Sequence, residues 1–120
     1  MSRKERVAEL LKHEISDILQ KEINDPRIGF VSITEVEIGQ DLQVAKVYVS
    51  ILGSGKEKAD AMEGLESAKK RIRHQLAPRL DLKAVPEIIF FHDDSIERGA
   101  RVMKILNKLS AERSAKGGEK

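Results

Sequence analysis

Val31-Ser32-Ile33-Thr34-Glu35-Val36-Glu37-Ile38, then Gly39-Gln40-Asp41, then Leu42-Gln43-Val44-Ala45-Lys46-Val47-Tyr48-Val49-Ser50-Ile51: this stretch decides the fold. Both long runs are rich in β-branched residues, alternate in part, and are separated by turn formers. That is the pattern of a β-hairpin. The first run changes phase, because Val31 and Ile33 share one parity and Val36 and Ile38 the other. A β-bulge near Glu35 keeps all four on one face.

Upstream, Ser2-Arg3-Lys4-Glu5 has the spacing of a helix capping box. Val7, Leu10, Leu11, Ile15, Ile18 and Leu19 follow at helical spacing, with Ile23 one turn on. Pro26 disfavours helical geometry at Asp25, so this helix ends near there, and Asp25-Pro26-Arg27-Ile28-Gly29 reads as a turn. Downstream, Gly53-Ser54-Gly55 is a loop. A second helical stripe then carries Ala61, Met62, Leu65, Ala68, Ile72 and Leu76 until Pro78 ends or kinks it. Ile88-Ile89-Phe90-Phe91 reads as a strand buried on both faces. His92-Asp93-Asp94-Ser95 is a turn with N-cap candidates, and a final helix carries Ile96, Val102, Met103, Ile105, Leu106 and Leu109. The order α-β-β-α-(α)-β-α predicts one α+β domain over residues 1–110, with a three-stranded sheet covered by helices on one face. Residues 111–120 turn polar and are expected to form a disordered tail.

The 120 residues suit a single core. With no cysteine there is no disulfide, thiolate metal site or cysteine nucleophile. His13, His74 and His92 fall on different elements without metal-ligand spacing, so no metal is expected. No P-loop, GxGxxG or GxSxG is present, and no catalytic residue or cofactor is assigned. His92-Asp93-Asp94 could serve a small enzyme, but a polar turn capping the next helix is the simpler reading. No apolar run reaches the roughly 20 residues that span a bilayer, and the N-terminus lacks a secretory pattern, so neither a membrane nor export is expected.

Net charge is only +2, but it is segregated. Residues 69–83 hold six Lys or Arg against one Asp, whereas 22–41 and 84–97 are each net acidic. Such segregation marks an electrostatic footprint better than the total does. Its densest part is Lys69-Lys70-Arg71-Ile72-Arg73-His74. There Ile72 continues the apolar stripe, while Lys70, Arg71 and His74 point away and Lys69 and Arg73 flank it. A basic face backed by an apolar one can lie along a phosphate backbone. On charge alone, a solvated helix end that suits the macrodipole is the stronger reading. The basic start, Arg3, Lys4 and Arg6, alternates with glutamates and is a weaker candidate.

The core order α-β-β-α-α-β resembles the type II KH fold. A standard KH domain clamps nucleic acid on a GxxG loop, yet no two glycines here stand three apart. That combination is similar to the ribosome-binding factor A family of bacterial small-subunit assembly factors, over about residues 3–109. The resemblance rests on Arg6-Val7-Ala8, Glu14-Ile15, Ile18-Leu19, Asp25-Pro26-Arg27-Ile28-Gly29, Ala45-Lys46-Val47-Tyr48-Val49, Val85-Pro86-Glu87, Phe90-Phe91, Asp93 and Ser95. In that family an Ala-x-Gly kink replaces the GxxG loop. By position it falls at Ala68-Lys69-Lys70, where lysine stands in place of glycine.

The resemblance implies a cytoplasmic, non-catalytic protein that binds the free 30S subunit and its 16S rRNA. It also implies a role in late rRNA processing and in growth in the cold. Placed at the KH junction, the basic segment becomes the leading RNA-binding candidate: Lys69, Lys70, Arg71 and Arg73, then His74 and Arg79, with Arg3, Lys4, Arg6 and Arg27 weaker. The expected partner is RNA, not DNA, and the expected state in solution is a monomer. The alternative is a protein–protein interaction module that does not touch RNA.

Overall fold

The structure is a computed structural model that describes residues 2–117, with the side chains of residues 96, 97 and 113–117 outside the description. Helix α1 spans Arg3–Lys21, strand β1 Val31–Ile38, strand β2 Val44–Ile51, helix α2 Gly55–Leu76, strand β3 Glu87–His92 and helix α3 Ser95–Gly117. A 3-10 turn, Ala77–Arg79, follows α2 and takes Pro78 near its start, where the missing N–H costs nothing. The sheet order is β1-β2-β3, antiparallel then parallel. This is the α+β, KH-like order expected from the sequence.

The bulge is where the phase change put it. Ile33 pairs with Val49 and Glu35 with Tyr48, so Thr34 is the extra residue. Val36 and Ile38 thereby reach the covered face, on which Val31 and Ile33 also pack. The hairpin loop is longer than the sequence suggested. Leu42 is not in β2 but adopts φ 59° in the turn, and β2 starts at Val44. An apolar anchor outweighs the steric cost of the left-handed region there: Leu42 packs against the core.

Helices α1 and α2 cover one face. Leu11, Ile15 and Ile18 from α1 and Leu65, Ile72 and Leu76 from α2 are fully buried against Ala45, Val47, Val49 and Ile88. Three expectations need correction. Helix α2 is one continuous helix through Ala68, Lys69 and Lys70, so the kink expected at Ala68 and Lys70 does not divide it. Lysine removes the roughly 1 kcal/mol helix penalty that a glycine carries. Strand β3 is not buried on both faces: Ile88 and Phe90 are buried, Ile89 is half-buried and Phe91 is exposed, because the second face of the sheet is uncovered. Helix α3 continues past Ser110 to Gly117; Ala111 and Glu112 are good helix formers and leave no reason to stop. Residues 118–120 of the expected tail, and the side chain of Ile96, lie outside the description.

Gly64 sits in the middle of α2, where glycine costs about 1 kcal/mol against alanine. Its reason is contact. A Cβ built there would lie 2.9 Å from Ile28 Cγ1 and 3.3 Å from Arg27 Cβ, so the Asp25–Gly29 turn rests on the bare helix backbone. Overpacking of this kind costs about 1–3 kcal/mol. Gly64→Ala is therefore expected to lower stability in urea titration, although the same change at an open helical site would raise it.

Candidate nucleic-acid interface

Helix α2 begins at Ser54 with a complete capping box: the Ser54 hydroxyl accepts from Glu57 N–H and the Glu57 carboxylate accepts from Ser54 N–H. Its charge then runs with the macrodipole. Acidic Glu57, Asp60, Glu63 and Glu66 run from the first turn to the middle, with Lys56 and Lys58 among them, and Lys69, Lys70, Arg71, Arg73 and His74 follow without a further carboxylate. Ala68, Ile72 and Leu76 are buried in the core, so the exposed side chains of this half are turned outward by the packing itself.

Lys70, Arg71, Arg73 and His74 line one open hollow of about 680 Å³ together with Ser67 and Val85. No carboxylate lines it. Lys70, Arg71 and His74 are exposed and make no ion pair among the described residues. Arg73 uses one guanidinium nitrogen to donate to the Val85 carbonyl at 3.1 Å, which fixes the fork against the 80–86 loop and leaves the remaining donors to solvent. That loop is itself held, since Leu80 and Pro86 are buried and Glu87 N–H donates to Gln43 O at 2.8 Å. The hollow is thus a cationic surface on a rigid backing, which reduces the ordering needed to bind a polyanion.

Three of the other candidates, Lys69, Arg79 and Arg27, are engaged in the fold. Lys69 pairs with Glu66 at 2.8 Å and lies 6.0 Å above the Phe90 ring centroid, on the sheet side of the helix. Arg79 bonds Glu14 at 3.0 Å and Asp17 at 2.8 Å, tying the 3-10 turn to α1. Lys21 and then Arg79, through hydrogen bonds, hold the Asp17 carboxyl below its ordinary range. Arg27 is gripped by both oxygens of Asp25, whose carboxyl is lowered by that bond. Arg3 and Lys4 lie at the start of α1, beside the hairpin loop at Gln40 and Leu42. Arg6 is exposed on α1. Lys4 and Arg6 are not brought to the α2 hollow, whereas Arg3 lines an adjoining depression with Arg73, Lys83 and Val85, in which Asp41 and Glu87 also stand.

The His92-Asp93-Asp94 turn works as a structural joint. Asp93 accepts from Ser95 N–H at 2.9 Å and from the Thr34 hydroxyl at 2.8 Å, and Asp94 pairs with Arg98. Among the described residues no group of three or more His, Asp or Glu could hold a metal ion, and no helix is long and apolar enough to cross a membrane. Sequence reasoning missed one exposed apolar pair. Phe30 is 80% exposed beside Leu52, whose N–H donates to Phe30 O. A lone aromatic after a turn glycine was the available signal.

A family model described as ribosome-binding factor A matches residues 3–106. Ribosome-binding factor A of Halothermothrix orenii is 50% identical over 110 residues, which cover 92% of this chain and 90% of that protein. The crystal structure of ribosome-binding factor A from Thermus thermophilus superposes with a TM-score of 0.67 at 25% identity, covering 74% of this chain and 93% of that one. A homology model of the Thermus thermophilus factor, as fitted into the cryo-EM map of a 30S complex, matches with a TM-score of 0.60 at 25% identity, covering 71% of this chain and 89% of that one. Fold, length and sequence agree: the chain belongs to the ribosome-binding factor A family.

Proposed function

We propose that this chain binds the free small ribosomal subunit by laying the outer face of α2 along the phosphate backbone of 16S rRNA, in the cytoplasm. It thereby assists late rRNA processing and maturation of the subunit, including in the cold. The action is stoichiometric. Binding shifts the RNA toward the bound conformation by no more than the difference in affinity for its two shapes, and no bond is made or broken. One observation carries this reading: the hollow lined by Lys70, Arg71, Arg73 and His74 contains no carboxylate. The Thermus relative fitted to a 30S map supports the choice of partner. The near absence of aromatic platforms, with Phe30, Tyr48, Phe90 and Phe91 as the whole aromatic complement, favours backbone contact over base stacking.

A salt titration tests it. Each phosphate contact releases counterions and lowers log K by about 0.7–0.9 per log unit of salt. Three or four contacts from the hollow give a slope of about −2 to −4 for binding to purified small subunits. A slope near zero would mean docking through ribosomal protein, the reading in which RNA is not touched.

A further inference from the structure

Among the described residues, large apolar side chains half or more exposed lie at two places, on α3 and at the end of the hairpin. On α3, Val102, Ile105, Leu106 and Leu109 form a stripe. Arg101, Lys104 and Lys108 border it and Glu112 stands at its end, so its charge selects no partner. The second place is smaller and better defined. Phe30 and Leu52 stand opposite each other, one step beyond the last ladder pair, Val31 with Ile51. They are 80% and 64% exposed. Leu52 N–H donates to the Phe30 carbonyl at 3.2 Å, so the backbone holds the two side by side.

Phe30 and Leu52 line a hollow of about 280 Å³ together with Pro26, Arg27, Glu57 and Asp60, and buried Ile51 and Ala61 form part of its floor. The frame of this hollow is held on every side. The Asp25–Gly29 turn rests on the bare backbone at Gly64, Ile28 N–H donates to Asp25 O at 3.0 Å, and Glu57 closes the capping box of α2. An aromatic side chain kept in the open by such a frame has little ordering left to lose on contact. Aromatic anchors of this kind carry much of the binding energy at protein interfaces.

The hollow is acidic. Its one lining cation, Arg27, is gripped by both oxygens of Asp25, and the charges of Asp60 and Glu63 also reach it. Glu57 and Asp60 therefore set the net charge of the lining. By helical spacing, Lys56 and Glu63 fall on the same outer edge, two turns apart, and offset each other in the sum, while Lys58 falls on the far flank. The net sign stays negative. A nucleobase stacked on Phe30 would bring its phosphates against Asp60. A lysine- or arginine-rich protein segment with an apolar side chain meets the hollow with opposite charge and fills it. We infer that Phe30 and Leu52 dock a basic segment of a small-subunit protein, whose apolar side chain packs on the pair while its cations face Glu57 and Asp60. The inference rests on binding to the small subunit, but not on contact between α2 and rRNA. At 1.5 Å per residue, Asp60 and Lys70 lie about 15 Å apart along α2. One helix thus offers an acidic, apolar end to protein and a basic end to RNA, and neither contact obstructs the other.

The test uses the full chain with p-benzoylphenylalanine in place of Phe30, bound to purified immature small subunits and irradiated. Expected is a covalent adduct on a lysine- and arginine-rich segment of a subunit protein, identified by mass spectrometry after nuclease and protease digestion. An adduct on rRNA overturns the inference, as does one on an acidic or neutral protein segment. So does the absence of an adduct while the chain still cosediments with the subunit. Affinity gives a second readout. Phe30→Ser should weaken binding at least about tenfold, the scale of an interface anchor, and leave the salt slope unchanged. Unchanged affinity in this variant overturns the inference. Asp60→Lys with Glu63→Lys should weaken binding by a similar factor, because like charges then meet. Strengthened binding would place RNA at the hollow and overturn the inference. Unchanged urea midpoints establish that each variant is folded. Lys70→Glu with Arg71→Glu separates this contact from the one made by α2: it should flatten the salt slope yet keep the adduct at position 30 in the complexes that remain. Failure of the parent chain to cosediment with the subunit would overturn both readings together.

Discussion

Reversing Lys70 and Arg71 to glutamate is expected to weaken association with small subunits by more than about a hundredfold and to leave the unfolding free energy from urea titration within about 0.5 kcal/mol of the parent, as for surface changes elsewhere. These two are the cleanest positions for charge reversal. Both are exposed on α2, line the hollow and make no internal ion pair. Reversing Lys69 would also set a carboxylate beside Glu66 and above Phe90, and reversing Arg73 would release the Val85 carbonyl. Either would mix a structural effect into the result. Arg79→Glu would break the pairs to Glu14 and Asp17 and so would test the fold rather than the surface. The measurement is filter binding or sedimentation with purified subunits at two salt concentrations. The double variant should lower affinity most at low salt and flatten the slope by about 1.4–1.8, for two lost contacts.

Ile72→Ala is expected to do the reverse. Ile72 is fully buried on the inner side of the helix that carries the basic face. Truncating a buried isoleucine to alanine costs about 2–5 kcal/mol, through lost transfer energy and the cavity left behind. That is a large part of the roughly 5–15 kcal/mol that holds a domain together. The urea midpoint should fall accordingly. Affinity for the subunit, corrected for the fraction folded, should stay within about twofold, because no side chain of the hollow is altered. The two variants together separate the helix as a support from the helix as a surface. If Ile72→Ala lost affinity beyond its unfolded fraction, the core would be tuning the interface and not merely holding it.

What is legible in the sequence depends on how local the physics is. The hairpin and its bulge can be read because parity within a strand is strict: Val31, Ile33, Val36 and Ile38 share a face only if one residue is inserted. The N-cap at Ser2, where only the Ser2 hydroxyl bond to Glu5 N–H of the expected box forms, and the complete capping box at Ser54 both act across three residues, although the second is masked by the glycines on either side of it. Strand β3 reads as doubly buried because Ile88-Ile89-Phe90-Phe91 has no alternation. Only the fold reveals that Ile88 and Phe90 face the core while Phe91 stacks on Tyr48 in the open. The stripe on α3 looks like a core-facing helix, since periodicity gives amphipathicity but does not name the partner.

The candidate site shows the same division. Ile72 and Leu76 fix which side of α2 points outward, and the structure gathers Lys70, Arg71, Arg73 and His74 there. The engagement of Arg79 is invisible in sequence, because Glu14 and Asp17 lie 65 and 62 residues away. That of Arg27 is not: Asp25 stands two residues back across a turn. Lys69 with Glu66 has the i, i+3 spacing of a helical ion pair and is equally readable. Charge counted along the chain therefore overstates the available cations, and the correction comes from asking which carboxylate each one meets.

Contact between the outer face of α2 and rRNA is measured most directly by ultraviolet crosslinking of the full chain to purified immature small subunits, with the crosslinked peptides identified by mass spectrometry. Expected are rRNA adducts concentrated on the segment from Ser67 to His74, reduced in step with affinity by Lys70→Glu with Arg71→Glu. Adducts confined to the open face around Glu35, Tyr48 and Phe91, with that segment unmodified while the complex is intact, would contradict it.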